Sequence, residues 1–318
     1  MSRELFAQPE PETIEKITSI WEAELGELEV PPDKHAIHVA GILYEGVEEK
    51  YGPASSNPLS YHGPTHSLDV LRRNFIIWRE CHKQIPEKFP LKDLGLLAIL
   101  GPGHDHEQLE TIPGRNEQVS YTNTAKAMDT RRRVYTHEDK MRIQGATLVT
   151  RVTRNEDGQI LQTYLREGER DPLKLTTAYA DINGIAMEGV DRMLKDATNL
   201  FMEIFGIKRS AEIALHLDQY VDFLGSQAFF LNTRLEALPG DVAYYFPESE
   251  DAVKVAFVMA ELFKPKDLAF KVAEFMQKSG ICRVVLQNMS LGKLETVNSL
   301  VEHLEDEIGI QYRNETSS

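Results

Sequence analysis

The stretch LGLLAILGPGHD, residues 94–105, places a histidine and an aspartate directly after an apolar run. The run from Leu94 to Leu100 predicts a buried segment, and we expect the next three residues, Gly-Pro-Gly, to break it. Two neighbouring polar side chains at the end of a buried segment cost free energy unless they are paired or bind a cation. His104 and Asp105 therefore indicate a polar site at the edge of a hydrophobic core.

Two further stretches carry side chains of matching chemistry. Residues 61–66 read Tyr-His-Gly-Pro-Thr-His, and the proline suits the first position of a helix. His66 would then lie in the first helical turn and face inward, with His62 just outside the helix. Asp181 follows an apolar run of small residues, where a buried acid needs a cation or several hydrogen-bond donors.

Together these residues have the ligand chemistry of a divalent metal site. Two imidazoles and two carboxylates, from His66, His104, Asp105 and Asp181, leave positions open for water and substrate on an octahedral ion. Manganese, iron, magnesium or nickel fits this mixed set, and zinc fits it less exclusively. Such an ion lowers the pKa of bound water and neutralises charge on a phosphoryl oxygen. Protonated His62 would donate its proton to the leaving oxygen as a general acid.

The order of these motifs resembles that of a known family. The pattern Tyr-His-x-x-x-His-x-x-Asp-Val over residues 61–70, followed by His-Asp and then Ala-Asp, resembles the HD-domain metal-dependent phosphohydrolases, especially the branch of class I cyclic-nucleotide phosphodiesterases. The resemblance spans roughly Tyr61 to Leu238. It implies an all-α HD-domain helical bundle in which the two histidines and two aspartates named above are the metal ligands. It also implies that His62 faces the phosphate and that Asp69 supports the site from behind the ligands.

Three other residues are candidates for contact with the metal-bound water or the substrate. His106 directly follows the His-Asp pair. Glu117 lies in Asn-Glu-Gln-Val-Ser, residues 116–120, which resembles the segment after the His-Asp pair in bacterial HD proteins. Gln219 lies near the place of the nucleotide-base glutamine of the phosphodiesterases, where a gapless match puts Leu217.

These features predict an enzyme that cleaves a phosphate ester, that of a nucleotide, by attack of metal-bound hydroxide, with His62 and Asp105 as catalytic residues. Two alternatives stay open. The phosphodiesterases carry a histidine where this chain has Gln108, and this difference favours a non-catalytic metal- or nucleotide-binding regulatory module. An HD-type di-iron oxygenase would need more histidines, and the chain offers only His137 between its second and third motifs.

Composition restricts the partners and the compartment. The chain has 318 residues and a formal net charge of -15, whereas a nucleic-acid duplex is bound through concentrated Lys and Arg. Cys81 and Cys282 are far apart and suit a reducing compartment. The first residues lack the apolar run of a signal peptide, and no apolar stretch is long enough to span a bilayer. We therefore expect a cytoplasmic protein that binds a small phosphate ester and neither a duplex nor a membrane.

Apolar residues recur at helical spacing along nearly the whole chain, as at Ile14, Ile17 and Trp21. This periodicity predicts an all-α fold. We expect an HD-type domain over residues 1–238 and a C-terminal helical extension over residues 239–318, beginning at Pro-Gly-Asp. The extension would pack on the same domain or mediate homo-oligomerisation. Its predicted helices are Asp251–Phe263, Lys266–Lys278 and a last one around residues 294–304.

Overall fold

A computed structural model describes residues 8–108, 114–131, 133–151, 153–154, 160–161, 163–181, 185–188 and 190–263. Apart from one two-residue antiparallel pair, Thr153–Arg154 with Ile160–Leu161, the regular structure over these residues is helical. The prediction of an all-α fold is therefore confirmed. The helices predicted over Lys266–Lys278 and residues 294–304 lie outside the described residues.

The α-helices are numbered here in chain order. They are α1 (Pro11–Leu25), α2 (Lys34–Tyr51), α3 (Pro64–Gln84), α4 (Leu94–Gly103), α5 (Arg115–Asp129), α6 (His137–Leu148), α7 (Pro172–Asp181), α8 (Ile185–Glu188), α9 (Val190–Ile204), α10 (Leu217–Tyr245) and α11 (Ser249–Phe263). Short 3-10 helices lie at Gly26–Leu28, Leu91–Asp93, Thr163–Arg166 and Ser210–His216. No helix in the described part of the chain is both long and apolar enough to cross a membrane.

The chain divides into two compact units. The first comprises the described parts of Met1–Gly184 and Glu236–Leu262, and the second comprises those of Ile185–Leu235 and Phe263–Ser318. Helices α1 to α7 therefore belong to the first unit, which also contains all four predicted metal ligands. Helices α8 and α9 belong to the second unit.

Local sequence determines where several helices begin. Gly63 precedes α3 in an extended conformation and Pro64 occupies its first turn, as the sequence predicts. The Asp33 carboxylate accepts hydrogen bonds from two backbone N–H groups at the start of α2. Thr136 and Asp139 form a reciprocal capping box at the start of α6. These caps satisfy N–H groups that have no partner within the helix.

Helix α4 is the centre of the first unit. All ten of its residues are buried, and it packs against α2 and α3, with further contacts to α5, α6 and α7. Its sequence is apolar on every side, which is typical of a helix enclosed by others. Asn74 on α3 donates a hydrogen bond to the Leu97 carbonyl at 3.4 Å and so ties α3 to α4.

The prediction that Gly-Pro-Gly breaks the apolar run is wrong. Helix α4 continues through Gly103, and the backbone N–H of His104 still donates to the Leu100 carbonyl at 3.0 Å. The glycines serve close packing instead, because a Cβ at Gly101 would lie 2.4 Å from the Cβ of Leu71 on α3. The helix therefore delivers His104 and Asp105 directly at its C-terminal end.

The Pro-Gly-Asp sequence at residues 239–241 does not end a helix either, since α10 runs on to Tyr245. Asp241 is buried within the first unit, where Tyr179 donates to one of its oxygens at 2.8 Å and Arg166 to the other at 2.6 Å. These hydrogen bonds hold the helix beyond the proline. The division into residues 1–238 and 239–318 stays a prediction, because most of the second segment lies outside the described residues.

The close approach of α3 and α4 can be tested by adding one methyl group. We expect Gly101→Ala to lower the free energy of unfolding by about 1–3 kcal/mol, because the new Cβ overlaps Leu71. Gly26→Ala is the control, since a Cβ there meets nothing within 4 Å, and it should change stability by less than about 1 kcal/mol. Urea unfolding of both variants measures the difference. Equal stability of the two variants would contradict the packing described for α4.

Candidate metal centre

Three helix ends of the first unit meet at one place. His66 lies in the first turn of α3, His104 and Asp105 follow α4, and Asp181 is the last residue of α7. Arg73 on α3 donates to the Ala180 carbonyl at 3.5 Å, which holds the end of α7 beside α3. The three motifs, far apart in sequence, therefore converge as predicted.

The four side chains direct one ligand atom each toward a common point. These atoms all lie within 4.8 Å of one another. Nε2 of His66 is 3.1 Å from Oδ1 of Asp181 and 3.4 Å from Oδ2 of Asp105. Nε2 of His104 is 3.5 Å from Oδ1 of Asp181 and 3.2 Å from Oδ2 of Asp105. Ligands about 2.1 Å from a shared ion stand about 3.0–3.4 Å apart, so these separations suit a bound divalent cation.

The orientation of His104 adds an independent argument. Its Nδ1 lies 2.7 Å from the Gly101 carbonyl and 3.2 Å from the Leu100 carbonyl, so Nδ1 carries a hydrogen and Nε2 is the ring nitrogen that faces the carboxylates of Asp105 and Asp181. Within the described part of the chain, Nε2 of His104 is buried and makes no hydrogen bond. A buried ring nitrogen beside two carboxylates needs either its own proton or a cation between it and their oxygens. The donor set therefore fits a metal ion.

Charge at the site is balanced within the group. Burial alone would raise the pKa of Asp105 and Asp181, but the positive charge of His104 outweighs it, and both pKa values lie below their ordinary range. Burial alone would lower the pKa of His66 and His104, but the two carboxylates raise both pKa values above 6.5. Without a cation, the site therefore favours ionised carboxylates and protonated imidazoles. A divalent cation can replace the two protons.

His62 lies at the margin of the group. Its Nε2 is 4.0 Å from Oδ2 of Asp105, and 23% of its side-chain surface is exposed. The ring packs edge-on against Tyr61, with centroids 4.7 Å apart, and against His66 at 5.8 Å. His62 is thus close to the ligands but open to solvent, as its predicted position outside the helix requires.

Two of the additional candidates, His106 and Glu117, have different surroundings, and their pKa values shift in opposite directions. The His106 ring turns away from the ligands, with Nδ1 3.2 Å from Nδ2 of Asn123 and Nε2 packed against Gly46. Burial, followed by the charge of Lys50, lowers the pKa of His106 to about 3, so this ring is neutral. Glu117 lies in the first turn of α5, and burial together with the charges of Asp105 and Asp181 raises its pKa.

Asp69 and Gln219 lie outside the four-residue group. Asp69 is half-buried on α3, one helical turn beyond His66. Gln219 belongs to the second unit and is exposed, with its Oε1 3.0 Å from Nδ1 of His216. A role for either residue at the site stays a prediction.

Sequence reasoning missed Lys50 and Tyr51, which end α2 and contact the chain just after the ligands. Lys50 donates to the Glu107 carboxylate at 3.1 Å, and Tyr51 donates to it at 2.8 Å. More than fifty residues separate the partners, and neither residue lies in a recognisable motif. Their role is visible only once α2 packs beside α4.

Comparison with known proteins provides no further assignment. No family model, curated protein or solved structure matches the chain. The geometry of the described residues therefore carries the functional argument.

Removal of one ligand should abolish cation binding. We expect the wild-type protein to bind divalent cation, whereas His104→Ala loses it, because His104 supplies a nitrogen that no neighbour replaces. The control is His137→Ala, which changes an exposed histidine at the start of α6. Elemental analysis and calorimetric titration with Mn²⁺ measure both. Equal cation content in the two variants would show that the four residues do not form the site.

Cation affinity should rise with pH. Because the pKa values of His66 and His104 are raised, both imidazoles hold protons that the ion must displace. Affinity should increase by up to about 100-fold per pH unit while both are protonated, and level off once the pH exceeds both pKa values. Titrations in buffers of different ionisation enthalpy count the protons released. Equal affinity at about pH 6 and pH 8, with no proton release, would contradict this description.

Proposed function

We propose that the protein is a metal-dependent phosphohydrolase with an HD-type helical bundle, and that its substrate is a small phosphate ester, that of a nucleotide. The observation that supports this proposal best is the convergence of His66, His104, Asp105 and Asp181 within 4.8 Å. The order of these residues along the chain is that of the family resemblance. No other group of described residues offers comparable ligand chemistry.

The four residues would hold a divalent ion, which we propose is manganese, iron, magnesium, nickel or zinc. When bound, such an ion supplies positive charge for a phosphoryl oxygen and makes water a better nucleophile near neutral pH. Asp105 and Asp181 supply negative charge and the histidines supply neutral nitrogen, so the site keeps the ion's net charge low. Because the four side chains are largely buried, the site favours a substrate whose charged group extends into the protein, as a phosphate ester can.

His62 is the proposed general acid. It lies 4.0 Å from Asp105, beside the ligands rather than among them, and its partial exposure lets a substrate reach the ring. A protonated imidazole at this position donates to the leaving oxygen, so the alcohol departs without a negative charge. The contact with Tyr61 restricts the orientation of the ring.

A small substrate also suits the charge of the chain. With a net charge of -15, the protein repels an extended polyanion, whereas one phosphate group can be neutralised locally by a bound ion. This contrast supports a small-molecule substrate over a nucleic-acid duplex.

The alternative of a di-iron oxygenase finds less support in the described residues. The four-residue group contains two histidines, His106 turns toward Asn123, and His137 is exposed on α6.

A non-catalytic module with the same cation site differs from the proposal only in turnover. Activity measurements are therefore needed to separate the two.

The proposal is tested with a panel of phosphomonoesters, cyclic nucleotides and nucleoside triphosphates. We expect cation-dependent hydrolysis of at least one class, and we expect His62→Ala to lower kcat by about 10²- to 10⁴-fold, since it removes the proton donor. Cation affinity should stay within about threefold of wild type, because His62 is not a ligand. His137→Ala again serves as the control.

Three outcomes would contradict the proposal. Stoichiometric cation with no turnover across the panel would indicate the binding module. Two irons per chain with oxygen-dependent turnover would indicate the oxygenase. Hydrolysis that survives His62→Ala unchanged would remove His62 from the mechanism.

A further inference from the structure

The chain directly after the ligand pair is held by the last turn of α2. Nζ of Lys50 donates to the His106 carbonyl at 3.2 Å and to one oxygen of the Glu107 carboxylate at 3.1 Å. The Tyr51 hydroxyl donates to the other Glu107 oxygen at 2.8 Å and accepts from the Gln108 backbone N–H at 2.9 Å. Two neighbouring side chains thus bind three consecutive residues.

Helix α5 holds the same segment from another direction. The Glu107 backbone N–H donates to the Ser120 hydroxyl at 2.9 Å, and Asn123 donates to Nδ1 of His106 at 3.2 Å. The His106 ring packs so closely on Gly46 of α2 that a Cβ there would lie 2.4 Å from its Nε2. Residues 106–108 are therefore fixed by main-chain and side-chain contacts on both sides.

This anchoring matters because Asp105 lies beyond the end of α4. His104 is oriented by the carbonyls of Leu100 and Gly101, within its own helix. Asp105 lies two residues beyond Gly103, the last residue of α4, and its carboxylate has to reach both His66 and His104. Helix α4 holds its backbone on one side only. The contacts of residues 106–108 supply the restraint on the other side.

The same network keeps Glu107 from acting as a ligand. Both of its carboxylate oxygens are engaged, one by Lys50 and one by Tyr51. An acid two residues from Asp105 would otherwise compete for the cation and draw the segment out of place. The Tyr51 hydroxyl stays protonated near neutral pH, because burial raises its pKa, and it therefore remains a donor.

We propose that Lys50 and Tyr51 are positioning residues of the cation site, which hold residues 106–108 so that the Asp105 carboxylate stays aligned with the two histidines. The proposal rests on the cation site that also underlies the proposed function, and it does not require hydrolysis. It predicts that removing a hydroxyl group from α2, with no ligand changed, weakens cation binding.

Two tyrosines on α2 allow a matched test. Tyr51→Phe removes the hydroxyl beside the site, and Tyr44→Phe removes a second buried hydroxyl on the same helix, whose partner is Nζ of Lys16 at 3.1 Å. We expect calorimetric titration with Mn²⁺ to show about a 10- to 100-fold loss of affinity for Tyr51→Phe and less than about threefold for Tyr44→Phe. The Co²⁺-loaded protein should show an altered visible absorption spectrum in Tyr51→Phe only. A residue that merely stabilises the fold would leave that spectrum unchanged.

Lys50→Met, with Lys16→Met as its control, provides a second pair and carries the test if Tyr51→Phe does not fold. Affinity within about threefold of wild type in Tyr51→Phe and Lys50→Met, with an unchanged Co²⁺ spectrum, would overturn the positioning role. A wild-type protein that binds no cation would overturn this inference and the proposed function together. Loss of affinity in Tyr51→Phe supports the inference even where no substrate is hydrolysed, so the two proposals fail separately.

Discussion

The structure depends on the compensation of charge in a buried space. Two carboxylates and two imidazoles converge where three helices end, and each carboxylate lies within 3.5 Å of both ring nitrogens. A buried charge without a partner is costly, so none of the four groups is stable there without the others or a cation. The helix ends have to meet closely enough for this compensation, and much of the surrounding packing serves that requirement.

Helix α4 is the element that makes the meeting possible. Gly101 allows it to approach α3 at Leu71, and the helix continues to the residue before the His-Asp pair. Arg73 then links α3 to the end of α7, which carries Asp181. One helix that is apolar on every side thus sets the positions of polar groups at its end. The hydrophobic core and the polar site are two parts of the same packing arrangement.

The parts of the site that depend on local chemistry could be predicted from the sequence. Pro64 predicts the start of α3 and so the place of His66, and an apolar run before a His-Asp pair indicates a buried polar site. The path of α4 through Gly-Pro-Gly could not be predicted. Glycine and proline have low helix propensity and so predict a helix end, whereas the packing of α4 against α3 requires a residue without a side chain at Gly101. Lys50 and Tyr51 were missed for a similar reason, since their contacts exist only between helices distant in sequence.

The central claim is that the four residues bind one cation. Anomalous X-ray diffraction from crystals of the protein loaded with Mn²⁺, collected at the manganese edge, tests it most directly. We expect a peak about 2.0–2.3 Å from a nitrogen of His66 and His104 and from an oxygen of Asp105 and Asp181. A peak elsewhere, or none at this place in protein loaded with the ion, would show that the four residues do not bind the cation.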